Sequence, residues 1–243
     1  MNNENLNKKD IYDRKRGGEL RARQRSQNFN LFKRLVLWVG VMVVVVFAVW
    51  GLTQYFVNLP APQTALLIDA ISANDWVDGN KESKTILVEY SDFQCPACGA
   101  YYPFVERLIE EYGDNFQFVY RHFPLPQHAN AKPAAYAAEA AGRQGKFWEM
   151  YSLIFESQSN WSNSKNIEQI LIGFAGSLEL DLNQFTEDYK SEAIKIKVEQ
   201  DYQSGLMARV NSTPTFFLNG KQVQPRSFDE FVNLIEQANA ASL

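Results

Sequence analysis

The chain has 243 residues, of which 46% are hydrophobic, and this is enough for one large domain or two small ones with a buried core. Its net charge of -4 is unevenly distributed, because residues 1–34 carry ten of the 24 basic side chains but only four of the 28 acidic ones. The other residues hold 14 basic and 24 acidic side chains, and a domain this acidic is not expected to bind nucleic acid.

An uncharged segment follows the basic N-terminus. Residues 35–57 contain no Asp, Glu, Lys or Arg, and as a helix they would span roughly 30 Å, about the hydrocarbon thickness of a bilayer. We predict a transmembrane helix over 35–57, with the tail 1–34 disordered and, by the positive-inside rule, cytoplasmic. A cleaved signal peptide is the alternative, although the apolar segment is long and no A-x-A cleavage site is obvious.

Residues 58–75 are predicted to form a linker into a second domain, 76–243. In that domain Asp78-Gly79-Asn80 predicts a turn before the first core strand. The strand itself is predicted over 85–91, where β-branched and apolar residues are concentrated. Apolar residues then recur at helical spacing up to Tyr112, and a second strand is predicted over 116–123. The order is typical of a βαβ unit.

The only two cysteines of the chain, Cys95 and Cys98, fall where the first strand of this unit meets its helix. Unpaired N–H groups and the helix dipole stabilise a thiolate at such a position and lower its pKa. Pro96 suits the first helical turn, since its nitrogen has no hydrogen bond to lose there. Cys95 is therefore a candidate nucleophile, and Cys98, one turn further on, could resolve a mixed disulfide.

The rest of the chain is predicted to be helical and then to form a hairpin and a last helix. Amphipathic or alanine-rich segments predict helices over 134–141, 147–155, 167–174, 182–189 and 191–207. A hairpin is predicted around Asn219-Gly220, between strands at 215–218 and 221–223. Ser227 and Glu230 form a capping-box pattern at the start of the final helix.

Several segments of the sequence resemble those of the DsbA-like thiol–disulfide oxidoreductases, which combine a thioredoxin fold with an all-helical insertion. They are the residues from Glu89 to Cys98, Tyr120-Arg121-His122-Phe123-Pro124-Leu125, and Asn211-Ser212-Thr213-Pro214-Thr215-Phe216. The resemblance implies an α/β thioredoxin-like fold over 76–243, with the helical insertion at about 130–208. The dipeptide Pro96-Ala97 departs from the family's best-known oxidases, which have a histidine between the cysteines.

The resemblance also implies roles for individual residues. Pro214 would be preceded by a cis peptide bond and lie against the cysteine pair, and the backbone of Thr213 would pair with a substrate strand. Glu89 would correspond to the buried acid that the family uses for proton transfer. The alternative role for Glu89 is that of a strand carboxylate that faces solvent or forms a salt bridge. Asp92 is expected to be a turn or capping carboxylate.

A metal-binding module is the alternative from a different class. Cys95, Cys98, His122 and His128 have the composition of a Cys₂His₂ zinc site. However, the separation of Cys98 from His122 greatly exceeds that of a zinc finger, and no histidine or methionine cluster suggests metal delivery. We therefore expect no metal ligands, and regard both histidines as packed or surface residues.

We expect a single-pass plasma-membrane protein whose C-terminal domain faces the extracytoplasmic side. It would exchange disulfides with protein substrates through Cys95-Pro96-Ala97-Cys98, as a dithiol oxidase without a dissociable cofactor. Its expected partners are extracytoplasmic proteins with thiols or disulfides, a membrane redox partner and the lipid bilayer, but not nucleic acid. A disulfide reductase or isomerase of the same fold is the alternative, because the direction of electron flow depends on the redox potential.

Overall fold

The computed structural model describes residues 37–38, 40–51 and 71–241. The chain divides into two units, residues 1–63 and 64–243. In the first unit the described residues are helical, and their large apolar side chains, such as Trp38 and Phe47, are exposed.

Among the residues that the structure describes, no helix has both the length and the apolar character needed to cross a membrane. The predicted transmembrane segment 35–57 and linker 58–75 lie partly outside the described residues, and the tail 1–34 lies wholly outside them. These three assignments therefore stay predictions.

The second unit is built on a five-stranded sheet in the order β1-β3-β2-β4-β5. Its strands are β1 (Trp76–Gly79), β2 (Ile86–Ser91), β3 (Gln117–His122), β4 (Thr215–Leu218) and β5 (Lys221–Val223). β2 and β3 are parallel, whereas the other neighbouring strands are antiparallel. The central strand β2 is buried from Leu87 onward, which explains its nearly continuous run of apolar residues.

Alternate residues of the strands face two separate cores. Leu87 and Phe118 belong to the larger core, and their neighbours Val88 and Val119 to the smaller one on the other face. Glu89 lies two residues after Leu87, so it points to the same face as Leu87, into the larger core.

Helices connect and cover the sheet. The α-helices of the second unit are α1 (Pro96–Tyr112), α2 (Ala131–Arg143), α3 (Phe147–Glu156), α4 (Gln158–Trp161), α5 (Ile167–Ser177), α6 (Leu182–Lys190), α7 (Glu192–Met207) and α8 (Phe228–Ala241), and a 3₁₀ helix (Gly113–Asn115) follows α1. α1 joins β2 to β3 and completes the expected βαβ unit. α2 to α7 all lie between β3 and β4, in the region where the helical insertion was expected.

Two elements differ from the sequence-based prediction. The residues predicted as a turn at Asp78-Gly79 instead end the edge strand β1, in which Trp76 pairs with Tyr120. Gly79 has a φ of +75°, and a Cβ there would lie 2.6 Å from the carbonyl oxygen of Phe116, so only glycine fits. The second difference is the short helix α4, which is too short to show a periodic apolar pattern.

The hairpin and the last helix form where they were predicted. Asn219 and Gly220 both have positive φ angles, 47° and 79°, as the two central residues of a type I′ turn require. The N–H of Glu230 donates to Ser227 Oγ at 3.3 Å, which is one half of the capping box. The other half differs, because the Glu230 carboxylate accepts from the N–H of Arg226 instead of Ser227.

Candidate active site

Cys95 is the N-cap residue of α1, at the end of the loop that leaves β2. Its backbone is extended, and the N–H of Gly99 donates to its carbonyl oxygen at 3.1 Å, which is the first hydrogen bond of the helix. Only 7% of the residue is exposed, and its Sγ donates to the carbonyl oxygen of Thr213 at 3.5 Å. The thiol therefore lies between the start of a helix and the loop before β4.

Cys98 lies one turn further on and is 1% exposed. Its Sγ accepts a hydrogen bond from the N–H of Asp92 at 3.5 Å. Both cysteines are free thiols in this structure.

The two thiols have opposite pKa shifts. The pKa of Cys95 is lowered to about 5, and interaction with the Cys98 thiol is the largest cause. The Thr213 side chain and the N–H groups of Cys98 and Ala97 act in the same direction, whereas burial opposes them. Burial raises the pKa of Cys98 well above its ordinary value, and the hydrogen bond to Cys95 and the charge of Glu89 act in the same direction. The position at the helix N-terminus predicted a lowered pKa for Cys95, but in the structure the Cys98 thiol is a larger cause than the N–H groups of the first turn.

The loop before β4 provides the opposite wall of the site. The Thr213–Pro214 peptide bond is cis, and the Thr213 carbonyl oxygen is the acceptor for the Cys95 thiol. Pro214 is half-buried. The structure thus brings Thr213 to Cys95, although 117 residues lie between them in the sequence.

Glu89 is buried, with 2% of its surface exposed, on the face of β2 that points into the larger core, to which both cysteines also belong. Burial raises the pKa of its carboxyl group to about 7. Its Oε2 has no hydrogen-bond partner among the described residues, and neither do the buried hydroxyl groups of Tyr120 and Tyr151. Tyr120 pairs with Glu89 across the parallel strands β2 and β3, so both side chains point to one face. The solvent-facing and salt-bridged alternatives for Glu89 are therefore wrong.

Asp92 holds the loop between β2 and Cys95. Its carboxylate accepts from the N–H of Gln94 at 2.7 Å, from the N–H of Leu125 at 2.8 Å and from His128 Nδ1 at 2.7 Å. Asp92 is a loop-binding carboxylate, as its sequence position suggested, but its contacts to residues 125 and 128 depend on the tertiary fold.

The histidines do not join the cysteines. His128 binds Asp92, while His122 Nε2 lies 3.0 Å from Glu139 Oε1. Within the described residues, His122 forms a buried cluster of ligand type with Glu139 and Asp201. Lys197 Nζ lies 2.6 Å from Asp201 Oδ1, so this cluster already contains a protein cation. The Cys₂His₂ arrangement of the zinc alternative is not formed.

Sequence reasoning missed a contact to the active-site loop from the helical region. The Gln158 side chain donates to the carbonyl oxygens of Phe93 and Cys95. No local pattern marks this residue, because it lies more than 60 residues after the loop.

Residues 72–237 match the family model described as "Thioredoxin". The chain is 37% identical, over 65% of its length, to a protein of Salinispora arenicola named Na(+)/H(+) antiporter NhaA 1. It is 34% identical, over 76% of its length, to a protein of the same name from Mycobacterium sp. (strain KMS). The chain spans only 23% and 31% of the length of these two curated relatives.

Solved structures share the fold. BdbD from Bacillus subtilis has a TM-score of 0.65 at 20% identity, covering 73% of this chain and all of that one. Alpha-DsbA1 from Wolbachia pipientis has a TM-score of 0.62 at 20% identity, covering 76% and 96%. The expected thioredoxin-like α/β fold with a helical region is thereby confirmed. The chain belongs to the thioredoxin family and has the fold of the DsbA-type thiol–disulfide oxidoreductases.

Proposed function

We propose that the protein is a membrane-tethered dithiol oxidase that exchanges disulfides with extracytoplasmic protein substrates through Cys95 and Cys98. The observation that carries this proposal is the opposite pKa shift of two thiols that share one helical turn. A cysteine with a low pKa is a good leaving group, and its stabilised thiolate favours the reduced form of the pair. Both effects support a site that takes electrons from substrates.

The reaction starts from the disulfide between Cys95 and Cys98. A substrate thiolate attacks Cys95 Sγ, the bond between the two cysteines breaks, and Cys98 leaves as a thiolate. The second substrate thiol, once deprotonated, attacks the substrate sulfur of the mixed disulfide and releases Cys95 as a thiolate. The substrate loses two electrons and gains a disulfide, and the cysteine pair gains the two electrons.

Glu89 supports this reaction as a proton donor and acceptor. The departing Cys98 needs a proton, because burial strongly disfavours its thiolate. Glu89 has a pKa of about 7 and interacts electrostatically with Cys98, so it can hold the proton near neutral pH and pass it on. Thr213 and Pro214 form the wall against which a substrate strand would bind, next to the Cys95 thiol.

The proposed location is the plasma membrane, with residues 35–57 as the anchor, the basic tail inside and the catalytic domain outside. The charge asymmetry and the exposed apolar helix of residues 40–51 support this arrangement. The relatives named Na(+)/H(+) antiporters support only the membrane location, because an antiporter moves ions across a membrane; they do not bear on the anchor or on the orientation. We do not extend the antiporter activity to this chain.

The equilibrium redox potential tests the direction of electron flow. We expect the Cys95–Cys98 pair of the full chain in detergent to have a potential above about -180 mV in glutathione buffers. Such a value would require a membrane partner that removes electrons. A potential near that of thioredoxin, about -270 mV, would instead favour the reductase alternative.

A further inference from the structure

The short helix α4 contributes one side chain to the active-site loop. Gln158 Nε2 donates to the carbonyl oxygen of Phe93 at 2.7 Å and to that of Cys95 at 2.9 Å. Both amide hydrogens of Gln158 are therefore donated to carbonyl oxygens of the active-site loop, one to that of Cys95 and one to that of Phe93.

Gly99 makes room for this contact. A Cβ at Gly99 would lie 2.6 Å from Gln158 Oε1 and 3.0 Å from its Cδ, so a larger residue would displace the amide group. Glycine within a helix is less favourable than alanine. The close approach of Gln158 gives a structural reason for a glycine in the first turn of α1.

The contact restrains the peptide groups on which the geometry of Cys95 depends. Cys95 has no side-chain cap hydrogen bond, and its extended backbone turns abruptly into the helix. Its carbonyl oxygen accepts from both Gly99 N and Gln158 Nε2. Rotation of this peptide plane would break both bonds and move the sulfur away from the N–H groups of the first turn.

We propose that Gln158 is a positioning residue of the active site, whose amide group fixes the Phe93 and Cys95 carbonyls and thereby keeps the Cys95 sulfur at the N-terminus of α1, facing Thr213. The inference rests on the proposed thiol–disulfide exchange for its functional meaning. The position of the Cys95 sulfur affects the pKa of this thiol, which can be measured without a substrate.

Gln94 provides a matched control in the same loop. Its Nε2 donates to the carbonyl oxygen of Ser162 at 2.7 Å, and its Oε1 accepts from the N–H of Asn130 at 2.6 Å. It therefore ties the same loop to the helical region but does not bind the carbonyls of Phe93 or Cys95. Gln94→Ala therefore removes two hydrogen bonds between the loop and the helical region, as Gln158→Ala does, but leaves the hydrogen bonds of Gln158 in place.

The experiment is a pH titration of the Cys95 thiolate in the reduced full chain in detergent, followed by thiolate absorbance and by alkylation rate. In Gln158→Ala we expect the pKa of Cys95 to rise by about 0.5 to 1, the equivalent of one hydrogen bond. Gln94→Ala should change the pKa of Cys95 by no more than about 0.2. The hydrogen bonds lost in this variant do not involve Cys95, so their loss should affect the stability of the loop more than the ionisation of the thiol.

Gly99→Ala provides an independent variant in case Gln158→Ala does not fold. It should raise the pKa of Cys95 in the same way, and the double variant Gly99→Ala/Gln158→Ala should show no more than the larger single effect, since both act on one contact. An unchanged pKa in Gln158→Ala, an equal rise in Gln94→Ala, or additive effects in the double variant would each overturn the proposal. A chain that fails to oxidise dithiols but shows the expected pKa pattern would contradict the proposed function and leave this inference intact.

Discussion

At the scale of single residues, two thiols that are three positions apart differ because one begins a helix and the other is inside it. Cys95 meets N–H groups and a neighbouring thiol, which stabilise its thiolate. Cys98 is almost completely buried and lies near the Glu89 carboxylate, which disfavours a second negative charge. The chemical roles proposed for the two cysteines therefore follow from their environments.

The asymmetry predicts different behaviour of the two single-cysteine variants. Cys98→Ala should accumulate mixed disulfides with client proteins through Cys95, whereas Cys95→Ala should accumulate few, because the remaining thiol is buried and protonated. In the unaltered chain near pH 6, Cys95 should be alkylated at least about tenfold faster than Cys98. Mass spectrometry of the trapped and alkylated species measures both effects. Equal trapping by the two variants would contradict the assignment of Cys95 as the nucleophile.

Glu89 predicts a pH dependence of stability. Burial raises its pKa from 4.5 to about 7, so the folded state binds the proton more tightly than the unfolded state does. The contribution of Glu89 to stability is therefore most favourable below pH 4.5 and falls as the pH rises to about 7, where the buried carboxyl group becomes charged. Glu89→Gln removes this cost and should increase the free energy of unfolding at pH 8 by up to about 3 kcal/mol.

Urea unfolding of the reduced protein at pH 4 and pH 8 measures the effect of Glu89→Gln. The increase in the free energy of unfolding should disappear at pH 4, where the Glu89 carboxyl group of the folded protein is already neutral. Glu187→Gln, at an exposed position, is the control and should change stability by less than about 0.5 kcal/mol at both pH values. A gain of equal size at both pH values would show that the charge of Glu89 is not its cause.

At the scale of elements, the packing of α7 against the sheet depends on one glycine. A Cβ at Gly205 would lie 2.5 Å from Phe123 Cδ2 and 3.0 Å from Tyr90 Cδ1, both in the smaller core. Tyr90 also shares a hydrogen bond of 2.8 Å between its hydroxyl group and Ser204 Oγ. The helix therefore approaches the sheet as closely as a residue without a side chain allows.

We predict opposite effects of the same substitution at two helical glycines. Gly205→Ala should destabilise the protein by about 1 to 3 kcal/mol through overpacking. Gly173→Ala in α5 is the control, because a Cβ there would meet nothing within 4 Å, and it should stabilise by about 0.5 to 1 kcal/mol. Urea denaturation of both variants measures the difference. Stabilisation by Gly205→Ala would mean that α7 does not pack this closely.

At the scale of the whole molecule, the unequal distribution of charge leads to a prediction of topology. The basic residues before residue 35 and the acidic domain after residue 58 would lie on opposite sides of the membrane. Protease added to intact cells with an opened wall should digest the C-terminal domain and spare the basic tail. Both parts should be digested when detergent is added as a control. A protected domain in intact cells would contradict the proposed location.

Much of the fold could be predicted from the sequence because its signals are local. β2, α1 and β3, the hairpin at Asn219-Gly220 and the start of α8 all have their own propensities and turn residues nearby. The prediction failed at β1, where a short strand is stabilised by pairing with β3 and not by its own composition. It also failed at α4, which is a single turn held by its contacts.

By itself the sequence determined that two cysteines lie at a strand–helix junction, since spacing and helix periodicity are properties of neighbouring residues. Only the tertiary structure decided what surrounds them. It brings Thr213 to Cys95, directs Glu89 into the larger core, pairs both histidines with carboxylates and places Gln158 on the loop. These contacts join residues that are far apart in the chain, and their geometry depends on the packing of the whole domain, which no local pattern encodes.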